Sequence, residues 1–426
     1  MASPTDSRKG SLASELAVNG GTPVRTEPYP AWPHYGPEEI AAAVEALESG
    51  HLSSLSGTRV RAFEAAWAEF QGVEHAVAIS SGTGAIHAAL IAARIGPGDD
   101  VVVTPHSFIA SVTAVLHAGA RPVFADIDPR TFNLTAESIE RAITPDTKAV
   151  VTVHLNGHPA DPEATAALCE QRGIMLIEDC AQAHGARWND RLVGTFGAIG
   201  TYSFWEDKIL TTSGEGGMLV TDDADLARRA RMAIHHGEEP TDENYYAGER
   251  LYLHQLIGWN YRMTEVQGAI GSVQLSRLGG YLERRRELAA LLTEALSGVR
   301  GVIPPYVDER AAHSFYKYIV RLDRDVLSVP VYDFVEALRA EGVPATRRYP
   351  TSIHEQPIIV EKRGFGRSTF PFGDDYPKPP AMPNAERVAR DAIQVTVVNP
   401  SVSDQDVRDA ATAIAKVAAA FAENEA

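Results

Sequence analysis

From about residue 75 the chain alternates short apolar runs with amphipathic stretches of helical length, and that alternation leaves few ways to fold. The runs are Ala76-Val77-Ala78-Ile79, Val101-Val102-Val103, Pro122-Val123-Phe124, Ala149-Val150-Val151, Ile174-Met175-Leu176-Ile177, Thr201-Tyr202-Ser203-Phe204 and Met218-Leu219-Val220. Between the first five lie helical patterns over 84–94, 109–117, 136–143 and 162–171. Strand and helix in this order build βαβ units, which predicts an α/β fold around a mainly parallel seven-stranded sheet. Because the runs are apolar at nearly every position, both faces of that sheet need helices over them. In such sheets ligands gather outside the carboxyl ends of the strands. Phe108, Asp179 and Gln182 fall just beyond such ends.

After about residue 265 the pattern changes to a long helix over 266–296, whose Glu283-Arg284-Arg285-Arg286-Glu287 run reads as a solvated face. A second α/β unit follows, with strands over 316–322 and 393–398 and helices over 332–341 and 404–421. Between them runs a Pro- and Gly-rich segment, 347–383, too long for a simple connection. A chain of 426 residues exceeds what one core supports. We therefore expect a disordered tail over 1–15, an N-terminal arm with the larger domain over 16–265, and a smaller α/β domain over 266–426.

The 39 Lys and Arg residues face 56 Asp and Glu, a formal charge of −17 that disfavours a nucleic-acid partner. A local basic pocket can still bind an anion, since distant charge is screened over roughly 8–10 Å. Two cysteines, Cys169 and Cys180, make no disulfide framework and suit a reducing cytoplasm. Cys180 reads as a small buried hydrophobe. The first residues carry no apolar leader-like core, and no stretch approaches the roughly 18–20 apolar residues of a membrane span. A soluble cytoplasmic protein is the expectation.

One lysine carries the chemistry. Lys208 lies in Tyr202-Ser203-Phe204-Trp205-Glu206-Asp207-Lys208-Ile209-Leu210, ahead of Glu215-Gly216-Gly217, and follows the Ile177-Glu178-Asp179-Cys180-Ala181-Gln182 run. Alone it reads as a solvated lysine before a Gly-rich turn. Its company changes the reading. Ser81-Gly82-Thr83-Gly84 follows a strand and opens a helix, where backbone N–H groups and the helix dipole favour a phosphate. An amine that can condense with a cofactor aldehyde and a carboxylate that can keep a pyridine nitrogen protonated would complete such a site.

This ordered set, with the opening Leu16-Ala17-Val18-Asn19-Gly20-Gly21-Thr22-Pro23-Val24 segment and Gly258-Trp259-Asn260-Tyr261-Arg262-Met263-Thr264, resembles the DegT/DnrJ/EryC1/StrS family of pyridoxal-phosphate sugar aminotransferases. The resemblance covers nearly the whole chain and implies the fold-type I aspartate aminotransferase architecture. It implies that Gly82, Thr83 and Ser203 hold the cofactor phosphate, that Phe108 stacks on the ring, and that Asp179 pairs with the pyridine nitrogen. Gln182 would bind the ring hydroxyl, and Lys208 would condense with the aldehyde and then move a proton. Asn260 would reach the phosphate of a neighbouring subunit, which implies a homodimer with shared sites. Arg262 is read equally as a contact of the donor carboxylate or as one half of an ion pair. In Tyr349-Pro350-Thr351-Ser352-Ile353-His354, His354 is a substrate-side candidate. His106 and His184 receive no role, and no metal is implied.

Two departures stand out. Ser213 lengthens the turn between Lys208 and Glu215-Gly216-Gly217, and Thr396-Val397-Val398-Asn399-Pro400 replaces the family's common Leu-Pro-x-His-Pro. The resemblance implies amino transfer from glutamate or glutamine to a keto sugar, nucleotide-linked by preference, or to a keto-cyclitol, in natural-product or surface-glycan assembly. A dehydratase or aminodehydratase would share almost every residue named, although a lysine at 208 argues for transamination. A regulator that binds the cofactor without turnover is the rival from another class, and no basic extension supports it.

Overall fold

The computed structural model of the protein describes residues 14–239 and 252–422. The tail expected over 1–15 lies, through residue 13, outside the described residues. The seven apolar runs form β1 (His75–Ile79), β2 (Asp100–Val103), β3 (Arg121–Phe124), β4 (Thr147–Val153), β5 (Met175–Asp179), β6 (Ile199–Ser203) and β7 (Gly217–Thr221). They make one sheet in the order β1-β7-β6-β5-β4-β2-β3. The pairs from β6 to β3 are parallel, and β7 runs antiparallel to both its neighbours. Six carboxyl ends therefore share one edge, and only β7 points away.

The pleat distributes side chains to both faces. Val77, Ile79 and Leu219 join one apolar cluster with the helices that follow β1 and β2, whereas Ala76, Ala78, Met218 and Val220 join another with Phe63, Trp67 and Phe204. Trp67 is fully buried and meets Tyr202 and Phe204 edge to face, each at 5.0 Å between ring centroids. Burial of side chains of this size contributes roughly 1.5–3 kcal/mol each.

Besides the helices Pro357–Val360 and Pro383–Asp391, the described residues form α1 (Pro37–Glu48), α2 (Arg59–Gln71), α3 (Gly82–Ala92), α4 (Ala110–His117), α5 (Ala136–Ala142), α6 (Pro162–Arg172), α7 (Ala224–Ile234), α8 (Glu265–Leu296), α9 (Val331–Ala340) and α10 (Asp404–Phe421). Helices α1 and α2 were not anticipated; they pack on α8, with Phe63 and Trp67 one turn apart on the buried side of α2. Thr264 caps α8 by accepting from the Gln267 N–H. Leu278 and Leu282 of that helix lie in the cluster beneath the large sheet, and Leu288, Leu292 and Leu296 lie in that of the second unit.

The second unit is an antiparallel sheet of β8 (Val302–Ile303), β9 (Tyr318–Leu322), β10 (Ala345–Arg347) and β11 (Ala392–Val395), in the order β8-β9-β11-β10. Leu16 of the opening segment packs in its core, and buried Glu341 accepts from the Ala17 N–H at 2.9 Å and the Val24 N–H at 3.0 Å. The segment after β10 is ordered by packing onto the large sheet. The Ile353 N–H donates to the Pro105 carbonyl at 2.7 Å, and the Tyr376 hydroxyl donates to the Pro122 carbonyl at 2.6 Å. That anchoring draws 348–355 over the end of β2, which is where the site lies.

Candidate active site

Asp179 is the last residue of β5 rather than a residue beyond it. Its Oδ2 accepts from the Ser111 hydroxyl of α4 at 2.8 Å and its Oδ1 from the Ala181 N–H at 3.0 Å. Burial pushes the carboxyl up from its ordinary range, against the pull of those two bonds and of nearby Lys208. A buried carboxylate in that condition is stabilised by one more cationic donor. Its neighbour Glu178 points to the opposite face, accepting from His154 Nε2 at 2.9 Å, the Gly194 N–H at 2.9 Å, and the N–H groups of Phe196 and Gly197 at 2.7 Å. His154 Nδ1 accepts from the Ala160 N–H at 3.0 Å, which fixes the Nε2–H tautomer. Burial raises Glu178, but His154 and these N–H groups win and hold its pKa below the usual carboxylate value.

Gln182 follows the same strand end. Its Oε1 accepts from the Asn156 N–H at 3.0 Å, and its Nε2 donates to the Tyr349 hydroxyl at 3.0 Å. Asn156 holds a left-handed φ of 58°, a conformation asparagine tolerates better than most residues.

The amino end of α3 meets Ser203, the last residue of β6. Ser81 caps the helix by accepting from the Gly84 N–H at 3.0 Å, while helix geometry gives the N–H groups of Gly82 and Thr83 no intrahelical acceptor. A Cβ on Gly82 would lie 2.5 Å from Ser203 Cβ and 2.9 Å from its Oγ, so only glycine lets the helix start approach the hydroxyl. N–H groups, hydroxyl and helix dipole here make a cradle whose chemistry fits a phosphate.

Lys208 lies on the turn after β6 and is buried. Its carbonyl accepts from Trp32 Nε1 at 3.0 Å, and its Nζ sits 4.6 Å from the centroid of the Tyr316 ring. Burial drives its ammonium down to about 7, Arg348 adds to the fall, and Asp179 opposes it. Ser213 absorbs the lengthened turn with a φ of 63°, and the Phe204 N–H still reaches the Gly216 carbonyl at 2.8 Å.

The structure thus brings Gly82, Thr83, Ser203, Asp179, Gln182 and Lys208 to one edge of the sheet. The set fits pyridoxal phosphate: a phosphate cradle, a buried carboxylate that would gain from a cationic donor, an amide, and a buried amine. Phe108 starts the turn whose next residues carry Ser111, the Ser111 N–H reaching the Phe108 carbonyl at 3.3 Å, and its side chain is 59 % exposed. Asn260 is exposed and bridges His235 through its backbone. Arg262 Nη1 lies 2.8 Å from His235 Nδ1, apart from the contacts of Lys208. His354 is buried against Phe124, with Nε2 3.5 Å from Glu386. His106 and His184 are buried, both pushed down to about 3 chiefly by desolvation, and neutral imidazole is the form the interior holds.

Residues that sequence reasoning missed also line the site. Ser111 and Asn156 hold the two strand-end side chains, and Tyr316, Arg348 and Tyr349 form a wall from the second unit. Arg348 stacks over Tyr349, its Cζ 4.2 Å from the ring centroid, and its Nη2 donates to Gln182 Oε1 at 3.3 Å. Arg347 beside it also buries its Nε without a partner among the described residues, so a doubled arginine in the sequence carries no sign of which member meets Gln182.

Residues 33–414 match the profile of the DegT/DnrJ/EryC1/StrS aminotransferase family. The chain is 41% identical over 356 residues to an L-glutamine:2-deoxy-scyllo-inosose aminotransferase of Micromonospora echinospora, covering 80% of this chain and 83% of that one. It is 40% identical over 332 residues to a UDP-N-acetyl-3-dehydro-alpha-D-glucosamine 3-aminotransferase of Acidithiobacillus ferrooxidans, covering 77% and 85%. Among solved structures, an aminotransferase from Psychrobacter cryohalolentis superposes with a TM-score of 0.84 at 34% identity, covering 92% of this chain and 100% of that one. The chain belongs to the DegT/DnrJ/EryC1/StrS aminotransferase family and is a pyridoxal-phosphate-dependent aminotransferase.

Proposed function

We propose that the enzyme moves an amino group from glutamine or glutamate to the carbonyl of a keto sugar or keto-cyclitol, in natural-product or surface-glycan assembly. The observation that carries this reading is a buried Lys208 amine, pushed down to about 7, beside a buried Asp179 carboxylate. Bound in this cradle, pyridoxal phosphate supplies the aldehyde that accepts nitrogen and the ring that delocalises a developing carbanion. Gly82, Thr83 and Ser203 anchor the phosphate, Asp179 keeps the ring nitrogen protonated, and Gln182 orients the ring hydroxyl. Phe108 covers one ring face, a role for which its open side chain is available. Lys208 Nζ takes a proton from the donor α-carbon and returns it to the carbon on the far side of the nitrogen, a task suited to an amine that is neutral near pH 7. Donor and acceptor use the same pocket in turn.

The working unit in this reading is a homodimer in the cytoplasm. Ile40, Val44 and Leu47 form an exposed apolar stripe on α1, and Leu253 and Ile257 are exposed close to Asn260 in sequence. A partner covering these surfaces would bring Asn260 toward its own cofactor phosphate. Arg262 serves a structural contact with His235, and His354 borders the acceptor side. Of the basic residues available to a nucleotide's phosphates, Lys362 donates to the Asp374 carbonyl and Arg363 pairs with Glu361. The reading therefore takes in both acceptor classes named for the relatives.

Purified protein reconstituted with pyridoxal phosphate is expected to lose its visible absorbance on addition of glutamine or glutamate, and to regain it with a suitable keto acceptor. Lys208→Ala is expected to fold and to abolish turnover. Retained transamination by that variant would refute the assignment.

A further inference from the structure

We propose that Arg348 is the clamp for the α-carboxylate of the amino donor. The inference rests on the aminotransferase reading and adds the residue that selects an α-amino acid. Three cationic groups surround the Tyr316 ring: Lys208 Nζ at 4.6 Å from its centroid, Lys317 Nζ at 4.5 Å, and Arg348 Cζ at 5.8 Å. They differ in what answers their charge. Lys317 pairs with Asp207, and Lys208 has Asp179 and Asp207 nearby. Among the described residues, no carboxylate pairs with Arg348. Its polar contact is the long 3.3 Å bond to Gln182 Oε1, an oxygen already engaged by the Asn156 N–H at 3.0 Å, and its Nε is buried without an acceptor.

A guanidinium with spare donors, its Cζ held 4.2 Å over the Tyr349 ring, is preorganised for a planar two-oxygen anion. Its place beside Lys208 identifies which anion. The carbon whose proton Lys208 moves carries the donor's α-carboxylate as a direct substituent, so the two groups must be reached from neighbouring side chains. Tyr316 is buried, and a low-dielectric aromatic surrounding strengthens such a pairing. An acceptor phosphate presents the same kind of charge, and the test separates the two sources.

The experiment uses cofactor-loaded enzyme, wild type and the variants Arg348→Gln and Arg348→Lys. Retention of the cofactor band shows that each variant folds. The donor half-reaction is followed by absorbance with glutamine and with 4-aminobutanamide, which is glutamine without its α-carboxylate. Binding of glutarate, a carboxylate that cannot react, is measured by calorimetry. In Arg348→Gln, the clamp predicts a ~10–100-fold rise in the apparent Kd for glutamine and a similar loss for glutarate. The rate at saturating donor changes far less, the response to 4-aminobutanamide is unaltered, and Arg348→Lys recovers part of the affinity.

Unchanged glutamine and glutarate affinity in Arg348→Gln overturns the clamp while leaving the aminotransferase in place. So does a selective loss of a nucleotide-linked acceptor, which would assign Arg348 to acceptor phosphates. A wild-type enzyme that takes nitrogen from no amino acid overturns the parent reading and the clamp with it.

Discussion

Ser111, one turn into the segment that Phe108 begins, donates its hydroxyl to Asp179 Oδ2 at 2.8 Å across 68 residues of sequence. The bond favours the charged carboxylate against burial, and it aims one oxygen, leaving the direction of the other to the Ala181 N–H. Ser111→Ala is therefore expected to raise the Asp179 pKa further and to weaken cofactor binding roughly tenfold, the range for a hydrogen bond to a charged group. Titration of apoprotein with pyridoxal phosphate measures the shift. An unchanged affinity would mean that the hydroxyl does not support the charge.

The pH response of Lys208 follows from its burial. With the ammonium driven down to about 7, the amine of the apoprotein is mostly neutral above that pH and mostly protonated below it. Reductive labelling of Lys208 by pyridoxal phosphate and borohydride should rise through pH 7 and level off above it. An exposed lysine would keep gaining reactivity up to about pH 10. Quantifying the labelled peptide across pH distinguishes the two profiles.

Gly82 tests the cradle by shape. A methyl at this position meets Ser203 Cβ at 2.5 Å, so Gly82→Ala must push α3 away from β6. We expect a loss of about 1–3 kcal/mol in stability, as for other overpacked sites, and a larger loss of cofactor affinity. Adding Ser203→Gly to that variant removes the clashing atoms and should restore stability without restoring phosphate binding. Denaturant midpoints and cofactor titrations read the two effects separately.

Glu178 offers a stability test away from the chemistry. It answers three backbone N–H groups and His154 in a fully buried setting. Glu178→Ala strands those donors, each costing about 1–3 kcal/mol, so the variant should lose at least ~3 kcal/mol. A shift in the urea midpoint measures the loss. A near-neutral substitution would show that the loop over 194–197 finds other acceptors.

Much of the sheet was legible because its signal is local. Val101-Val102-Val103 and Ala149-Val150-Val151 state both strand and burial within three residues, and Ser81-Gly82-Thr83-Gly84 shows a helix start next to a strand end. The family resemblance located Lys208, Asp179 and Gln182. The helices α1 and α2 were missed, since their apolar positions acquire meaning only against α8. Ser111 and Asn156 were missed for a related reason. A serine on a helix and an asparagine in a turn look ordinary until topology sets them against Asp179 and Gln182. Arg348 meets Gln182 across 166 residues, and no spacing rule spans such a distance.

Glu178 and Asp179 are consecutive acids at the end of one strand, and the pleat sends them to opposite sides of the sheet. Glu178 answers three backbone N–H groups and His154, and Asp179, held by Ser111 and the Ala181 N–H, is the one that the proposed function sets against the cofactor ring. Their division of labour is therefore a matter of phase rather than of residue type. Gaining or losing a single residue in β5 upstream of this pair would exchange them, turning the scaffolding acid into the pocket and the reactive one into the interior. The fold can tolerate new loops and new substrates around this strand, but its count of residues is fixed by the reaction as firmly as any side chain.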